Sequence, residues 1–194
     1  MSVTFWEKDM ARIDETRPFI AVRIAVLTVS DTRSLAEDKS RDLLASMLIE
    51  ARHSLAARDI CIDDVDTISA HLNRFIIDTE IDCVISTGGT GVTERDVTTE
   101  AFRSVFEKEI EGFGEMFRFL SFQKIGTSTL QSRSVAGVAG GTYLFALPGS
   151  PSACCDAWDD LLVHQLDYRH RPCNFVEIMP RLRKTGLVGR SSGK

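Results

Sequence analysis

Asp82-Cys83-Val84-Ile85-Ser86-Thr87-Gly88-Gly89-Thr90-Gly91 is the stretch whose reading decides the fold. Its first half is short and apolar, as a strand covered on both faces is. Its second half places three glycines in four residues, which permits positive φ and close backbone approach and opens successive N–H groups to an anion such as phosphate. Thr87, Thr90 and Thr93 add hydroxyl donors, and Ala101, Phe102, Val105 and Phe106 then recur at helical spacing. Strand, glycine loop and helix in that order form one unit of an open α/β sheet.

Similar units flank it. Upstream, Val22 to Val29 is a nearly continuous apolar run that ends in Ser30-Asp31-Thr32. Leu43, Leu44, Met47 and Leu48 follow at helical spacing, with Asp38 and Ser40 as candidate caps. A weaker strand is expected near Leu55–Ile62, then a helix carrying Val65, Ile68, Leu72, Phe75 and Ile76, with Asp63 and Asp64 at its start. Downstream, Phe113, Met116, Phe117 and Leu120 mark the inward stripe of a helix that breaks near Gly126, and a short strand follows around Val135–Val138. Thr142–Leu147 reads as a further buried strand turned by Pro148-Gly149-Ser150-Pro151, with Ser150 as N-cap and Pro151 as first helical residue. The expected fold class is α/β: a three-layer, doubly wound, mostly parallel sheet with helices on both faces.

The chain has 194 residues, 23 basic and 28 acidic, for a net charge of −5. That length fits one domain at about 150 residues each and buries roughly 70% of the unfolded surface, so no structural metal is needed. The acidic balance gives no reason to expect nucleic acid or an anionic membrane as partner. Cys61, Cys83, Cys154, Cys155 and Cys173 are odd in number and show no C-x-x-C spacing, as expected of a reduced, cytoplasmic protein without zinc. Residues 1–20 read as an N-terminal arm available to pack on a neighbouring subunit, 21–176 as the domain, and 177–194 as a basic, flexible tail. Met1–Arg17 lacks the apolar core of a signal peptide, and no window reaches the length of a membrane span.

Ligands in such sheets bind beyond the carboxyl ends of the strands, where strand order reverses. Three loops leave such ends: Ser30-Asp31-Thr32, Thr87–Asp96 and Pro148-Gly149-Ser150. The glycine loop is neither G-x-G-x-x-G nor a P-loop, because no lysine follows at the Walker position. Glycines alone would fit a tight turn without a ligand. Arg95-Asp96 just beyond, followed by Val97 and by Thr98 as expected N-cap, alters the odds. A carboxylate beside a phosphate cradle is either a magnesium ligand or the partner of a neighbouring cation. Asp64 on spacing alone favours a helix dipole. Ser132, Arg133 and Ser134 form a donor-rich group in which Arg133 either clamps an anion or makes a surface pair. The four histidines show no ligand spacing, and Ser150 does not sit in a G-x-S-x-G elbow.

Leu27-Thr28-Val29-Ser30-Asp31, Ser86–Gly91 with Arg95-Asp96-Val97-Thr98, and Leu147-Pro148-Gly149-Ser150-Pro151 together resemble the MoaB/MogA family of molybdenum cofactor biosynthesis proteins over roughly residues 20–175. Glu111-Gly112-Phe113-Gly114-Glu115, Gly126–Arg133 and Arg171-Pro172-Cys173-Asn174-Phe175 resemble its B branch. The resemblance implies binding of molybdopterin and transfer of AMP from Mg-ATP onto its terminal phosphate, with pyrophosphate released. It implies Asp96 and Asp64 as catalytic acids, Asp96 also as the Mg²⁺ ligand. Ser30, Asp31, Thr87, Gly88, Gly89, Thr90, Gly91, Ser132, Arg133, Ser134, Pro148, Gly149 and Ser150 are expected around the ligands. It also implies a homo-oligomer, trimer or hexamer, and other proteins of the pathway as partners. Phe119 and Phe122, off the inward stripe of their helix, fit either such an interface or a wide core face. The alternative function is a non-catalytic molybdopterin carrier, and a regulatory nucleotide-binding module is a third reading. The sequence departs from the family pattern at Asp63, Glu94 and Thr99, where proline is common.

Overall fold

The computed structural model describes residues 12–31 and 39–182. Asp38, Thr32, residues 1–11 and the tail beyond 182 lie outside the described residues. The main sheet has six strands in the order β3-β2-β4-β7-β6-β5: β2 (Arg23–Val29), β3 (Ser54–Cys61), β4 (Cys83–Thr87), β5 (Lys108–Glu109), β6 (Val135–Ala139) and β7 (Thr142–Leu147). β2 runs parallel to β3 and β4, and β4 parallel to β7. β6 and β5 close one side antiparallel. The mostly parallel, doubly wound sheet is therefore present, with two antiparallel strands on one flank. β3 lies at the other edge, and its burial alternates along the strand as an edge strand with one packed face does.

Helices cover both faces. α1 (Lys39–Glu50), α4 (Glu111–Ile125), α5 (Pro151–Ala157) and α7 (Phe175–Leu182) pack through Leu44, Leu48, Phe113, Phe117, Cys154 and Val176 against Ile24, Ile85 and Phe145. α2 (Val65–Ile77) and α3 (Thr98–Val105) pack through Ile68, Leu72, Phe75, Ala101 and Phe102 against Leu27, Val84 and Leu144. The alternation along β2 and β4 thus supplies both cores at once, which is why these strands are apolar throughout. After α5 the helix widens into a π turn, Trp158–Leu162, and ends as α6 (Val163–Gln165).

Four details differ from the sequence reading. Ser40 lies within α1 and its Oγ donates to the Gly149 carbonyl at 2.9 Å. Met116 is 48% exposed on α4, because the inward stripe is carried by Phe113 and Phe117 one turn apart. Phe119 and Phe122 are exposed, so they do not widen this chain's core. The boundary at 176 falls inside α7, whose Phe175 carbonyl accepts from the Tyr143 hydroxyl at 3.1 Å and whose Val176 is buried.

The described end of the arm packs on its own chain. β1 (Arg12–Ile13) pairs with β8 (His170–Arg171), and Phe19 lies tilted against His53, which meets Trp158 edge-on. His53 Nδ1 accepts from the Val22 N–H at 3.2 Å, so the fold needs the neutral imidazole. Burial is the main cause that pushes its pKa from the usual 6.5 down to about 4; Arg52 adds to it and Asp167 opposes. The unfolded chain binds the extra proton, so this contribution to stability is complete above pH 6.5 and is lost as pH falls toward 4. Ring nitrogen shifts of His53 in a two-dimensional NMR spectrum should still report the neutral form at about pH 5.5, where an unperturbed histidine is mostly charged. A midpoint at the unperturbed value would contradict the burial argument.

Candidate functional site

The four parallel strands all end on one edge of the sheet, at Val29, Cys61, Thr87 and Leu147. The chain leaves β2 to form β3 on one side and then crosses to β4 on the other, so strand order reverses between β2 and β4. A crevice opens there. Gly88 makes the closest approach. Its φ is +109°, and a Cβ at this position would stand 2.1 Å from the Val29 carbonyl oxygen. Its N–H donates to the Leu147 carbonyl at 3.0 Å, so one residue joins the ends of three strands. Thr87 Oγ1 donates to the Pro148 carbonyl at 3.0 Å, which together with Ser40 fixes the Pro148–Ser150 turn. Ser150 caps α5 by accepting from the Ala153 N–H at 3.3 Å, as read from the sequence.

These loops line a cleft of about 540 Å³. Ser30, Asp31, Gly88, Gly89, Thr90, Gly91, Asp96, Ser132, Pro148, Gly149 and Ser150 all face it. The opposite wall comes from the end of α4 and the 3-10 turn Gly126–Gln131, through Phe117, Ser121, Ile125, Ser128, Thr129 and Gln131. The sequence reading missed that wall as site. Its signal was the polar run Thr127-Ser128-Thr129 after a helix-ending glycine.

Three carboxylates meet at the mouth of the glycine loop. Asp96 accepts from Thr93 N–H at 2.9 Å and Thr93 Oγ1 at 2.6 Å. Burial opposes its ionised form, but the bonds from Thr93 and from the Gly91 amide outweigh it, so its carboxyl sits below the ordinary value. Asp63 is raised, first by burial and then by the charges of Asp31 and Asp96. Asp31 is lowered by the Asp63 N–H, which it accepts at 3.0 Å, and by its ion pair with Arg95. Gly89, at φ +62°, has no room for a side chain: a Cβ there would lie 2.3 Å from Thr98 Oγ1 and 2.5 Å from Asp63 Oδ1. Thr98 Oγ1 is buried and has no hydrogen-bond partner among the described residues. Thr98 is fully buried and does not line the cleft, so its hydroxyl lies beneath the glycine loop.

Four expected site residues stand elsewhere. Asp64 does not line the cleft. It is the exposed N-cap of α2, its carboxylate accepting from Thr67 N–H at 2.8 Å and Thr67 Oγ1 at 2.7 Å, and its neighbour Asp63 faces the cleft instead. Thr87 is buried beneath the cleft floor, where its hydroxyl is used by Pro148. Arg133 turns its guanidinium to the Gly91 and Asp96 carbonyls and to Glu100 rather than to the cleft. Ser134 is fully buried beside a separate groove. Val97, not Thr98, is the N-cap residue of α3, which makes Thr98 its first residue and frees the hydroxyl described above. Thr99, in place of the common proline, donates from Oγ1 to the Arg133 carbonyl at 2.9 Å. No group of three His, Cys, Asp or Glu among the described residues is placed to hold a metal ion, so Asp96 would share any Mg²⁺ with ligand phosphates.

The family described as "Probable molybdopterin binding domain" matches residues 25–168, a span that holds all three strand-end loops and the α4 wall. The chain belongs to this family. Molybdenum cofactor biosynthesis protein B of Escherichia coli K12 is 48% identical over 166 residues, 86% of this chain and 96% of that protein. The Bacillus subtilis protein of the same name is 43% identical over 146 residues, 75% of this chain and 86% of its own length. A crystal structure of a molybdenum cofactor biosynthesis protein B superimposes with a TM-score of 0.78 at 35% identity, covering 86% of this chain and 98% of that one. The tungsten cofactor synthesizing protein MoaB of Pyrococcus furiosus superimposes at 0.68 with 30% identity, covering 84% and 98%. The MoaB/MogA fold and the molybdopterin-binding domain expected from the three motifs are both found. Among the described residues no helix is long and apolar enough to cross a membrane.

The family's cleft rests here on Gly88. Gly88→Ala combines a backbone clash with a strained φ and should cost about 3 kcal/mol or more in urea unfolding. Gly112→Ala, in the first turn of α4 with nothing within 4 Å of the added methyl, should be neutral or stabilise by about 0.5 kcal/mol. Equal effects at the two positions would refute the role given to Gly88.

Proposed function

We propose that this chain binds molybdopterin in the cleft between β2 and β4 and transfers AMP from Mg-ATP onto its terminal phosphate. The observation that supports the reading most is the cradle itself: the Gly88–Gly91 loop folded tightly over the strand ends, with Asp96 held ionised at its rim. In the reaction a terminal phosphate oxygen of the pterin forms a bond to the α-phosphorus of ATP. The bond from that phosphorus to the bridging oxygen breaks, and pyrophosphate leaves with the electron pair. A phosphate monoester is already largely dianionic at neutral pH, with a second pKa of about 6, and needs no general base. Among the described residues, no histidine, lysine or cysteine side chain lines the cleft. The protein's work is placement and charge compensation.

The Gly89 and Thr90 amides bind phosphate oxygens. Asp96 and Asp63 would hold Mg²⁺, which would supply neutralisation of charge at the α-phosphate. Asp64 supports this arrangement by capping α2 and so fixing the turn that presents Asp63. The reaction belongs in the cytoplasm, where Mg-ATP is at hand.

A specific observation favours a carrier as the second reading. Asp31, Asp63, Asp96 and Asp156 face the cleft; Arg95 pairs with Asp31 and Lys124 with Asp156 at 2.6 Å, and among the described residues Asp63 and Asp96 have no ion pair. Without Mg²⁺ that field repels a nucleotide triphosphate. Purified chain mixed with molybdopterin and Mg-ATP should yield adenylylated molybdopterin and pyrophosphate. Asp96→Asn should lose about a hundredfold or more of that turnover while keeping the fold. Undiminished turnover in Asp96→Asn would sink the assignment, and tight pterin binding without product would establish the carrier.

The exposed side chains Met116, Phe119 and Phe122 recur every three residues along α4. We place them between copies of this chain, in a trimer or a hexamer. Light scattering should give such a mass, and Phe119→Glu with Phe122→Glu should reduce it to the monomer. A wild-type monomer at working concentration would refute the assembly.

A further inference from the structure

We infer that Arg133 is a positioning residue, a staple that closes the Gly91–Asp96 segment from behind and thereby sets Asp96 at the rim of the cleft. The inference rests on the proposed AMP transfer for its kinetic part only. Arg133 stands just before β6, and its backbone is fixed first: its N–H donates to the Thr90 carbonyl at 2.9 Å and its carbonyl accepts from Thr99 Oγ1 at 2.9 Å. From that anchor the guanidinium reaches both ends of the segment. Nε donates to the Gly91 carbonyl, Nη2 to the Asp96 carbonyl, and Nη1 and Nη2 to the Glu100 carboxylate one turn into α3.

On the inner side the same segment is closed by its own residues, because the Asp96 carboxylate takes the Thr93 amide and hydroxyl. Asp96 is therefore held twice: its carboxylate by the ring it closes, its main chain by Arg133. The planar guanidinium, with its rigid fork of donors, can span two carbonyls and a carboxylate together, whereas a lysine ammonium keeps the charge but not the span. That difference separates a staple from an anion clamp. It also explains why an arginine read from the sequence as a phosphate ligand does not line the cleft.

The test is Arg133→Lys in the full chain, read first by amide hydrogen exchange without any ligand. The amides of residues 92–97 should exchange about tenfold faster, and in the transfer assay kcat should fall about tenfold with the KM for molybdopterin within about threefold of wild type. Glu100→Gln, which removes one anchor of the guanidinium and keeps Arg133 itself, should move both readouts the same way by a smaller factor. It serves as the deciding variant if Arg133→Lys does not fold. Wild-type exchange rates in these variants would overturn the staple, as would a raised KM at unchanged kcat, the mark of a guanidinium that binds the ligand's phosphate. The exchange readout needs neither pterin nor nucleotide, so a chain that transfers no AMP leaves this inference decided on its own terms.

Discussion

The contact between Gly88 and the Val29 carbonyl is the constraint on which the site depends. A parallel sheet brings the ends of β2, β4 and β7 to one edge, but only a residue without a side chain can lie that close to the neighbouring strand and still donate its N–H to Leu147. From that crossing the loop turns back over the strand ends. Gly89 then passes close against Thr98 and Asp63, and Asp96 stands at the rim of the cleft. Any larger residue at Gly88 would push the loop outward and part it from the Pro148 turn.

The electrostatic arrangement follows from the same crossing. Loops from β2, β3 and β4 each contribute one aspartate, so like charges are forced together. The protein compensates locally: hydrogen bonds hold Asp96 and Asp31 ionised, and the repulsion falls on Asp63. A cleft lined this way is suited to a ligand that arrives with a divalent cation, and poorly suited to a bare polyphosphate. Arg133 is spent on main-chain carbonyls and on Glu100 behind the loop, and does not pair with the cleft carboxylates.

Much of this was legible in the residues. β-Branched runs marked β2 and β4, an apolar run marked β7, and glycine and proline marked the turns, because backbone conformation at such residues is dictated locally. Ser150 as cap of α5 is of that kind. What was not legible depended on tertiary placement. Asp63 and Asp64 are adjacent acids, and only the cap geometry of α2 decides which one faces the cleft. The goal of a side chain as long as Arg133 depends on which carbonyls come within reach. α4 shows an apolar stripe strong enough to be read as core alone, yet Phe117 lies both in the core and on the cleft wall. Phe119 and Phe122 proved exposed, which removes the wide-core reading of that helix.

The most direct measurement of the central claim is a crystal structure of the chain with molybdopterin and a non-hydrolysable Mg-ATP analogue. Pterin phosphate oxygens are expected on the Gly89 and Thr90 amides, with Mg²⁺ on Asp96 and the α-phosphorus in line with the attacking oxygen. Pterin seated away from the β2/β4 crevice, or Mg²⁺ bound without Asp96, would contradict this.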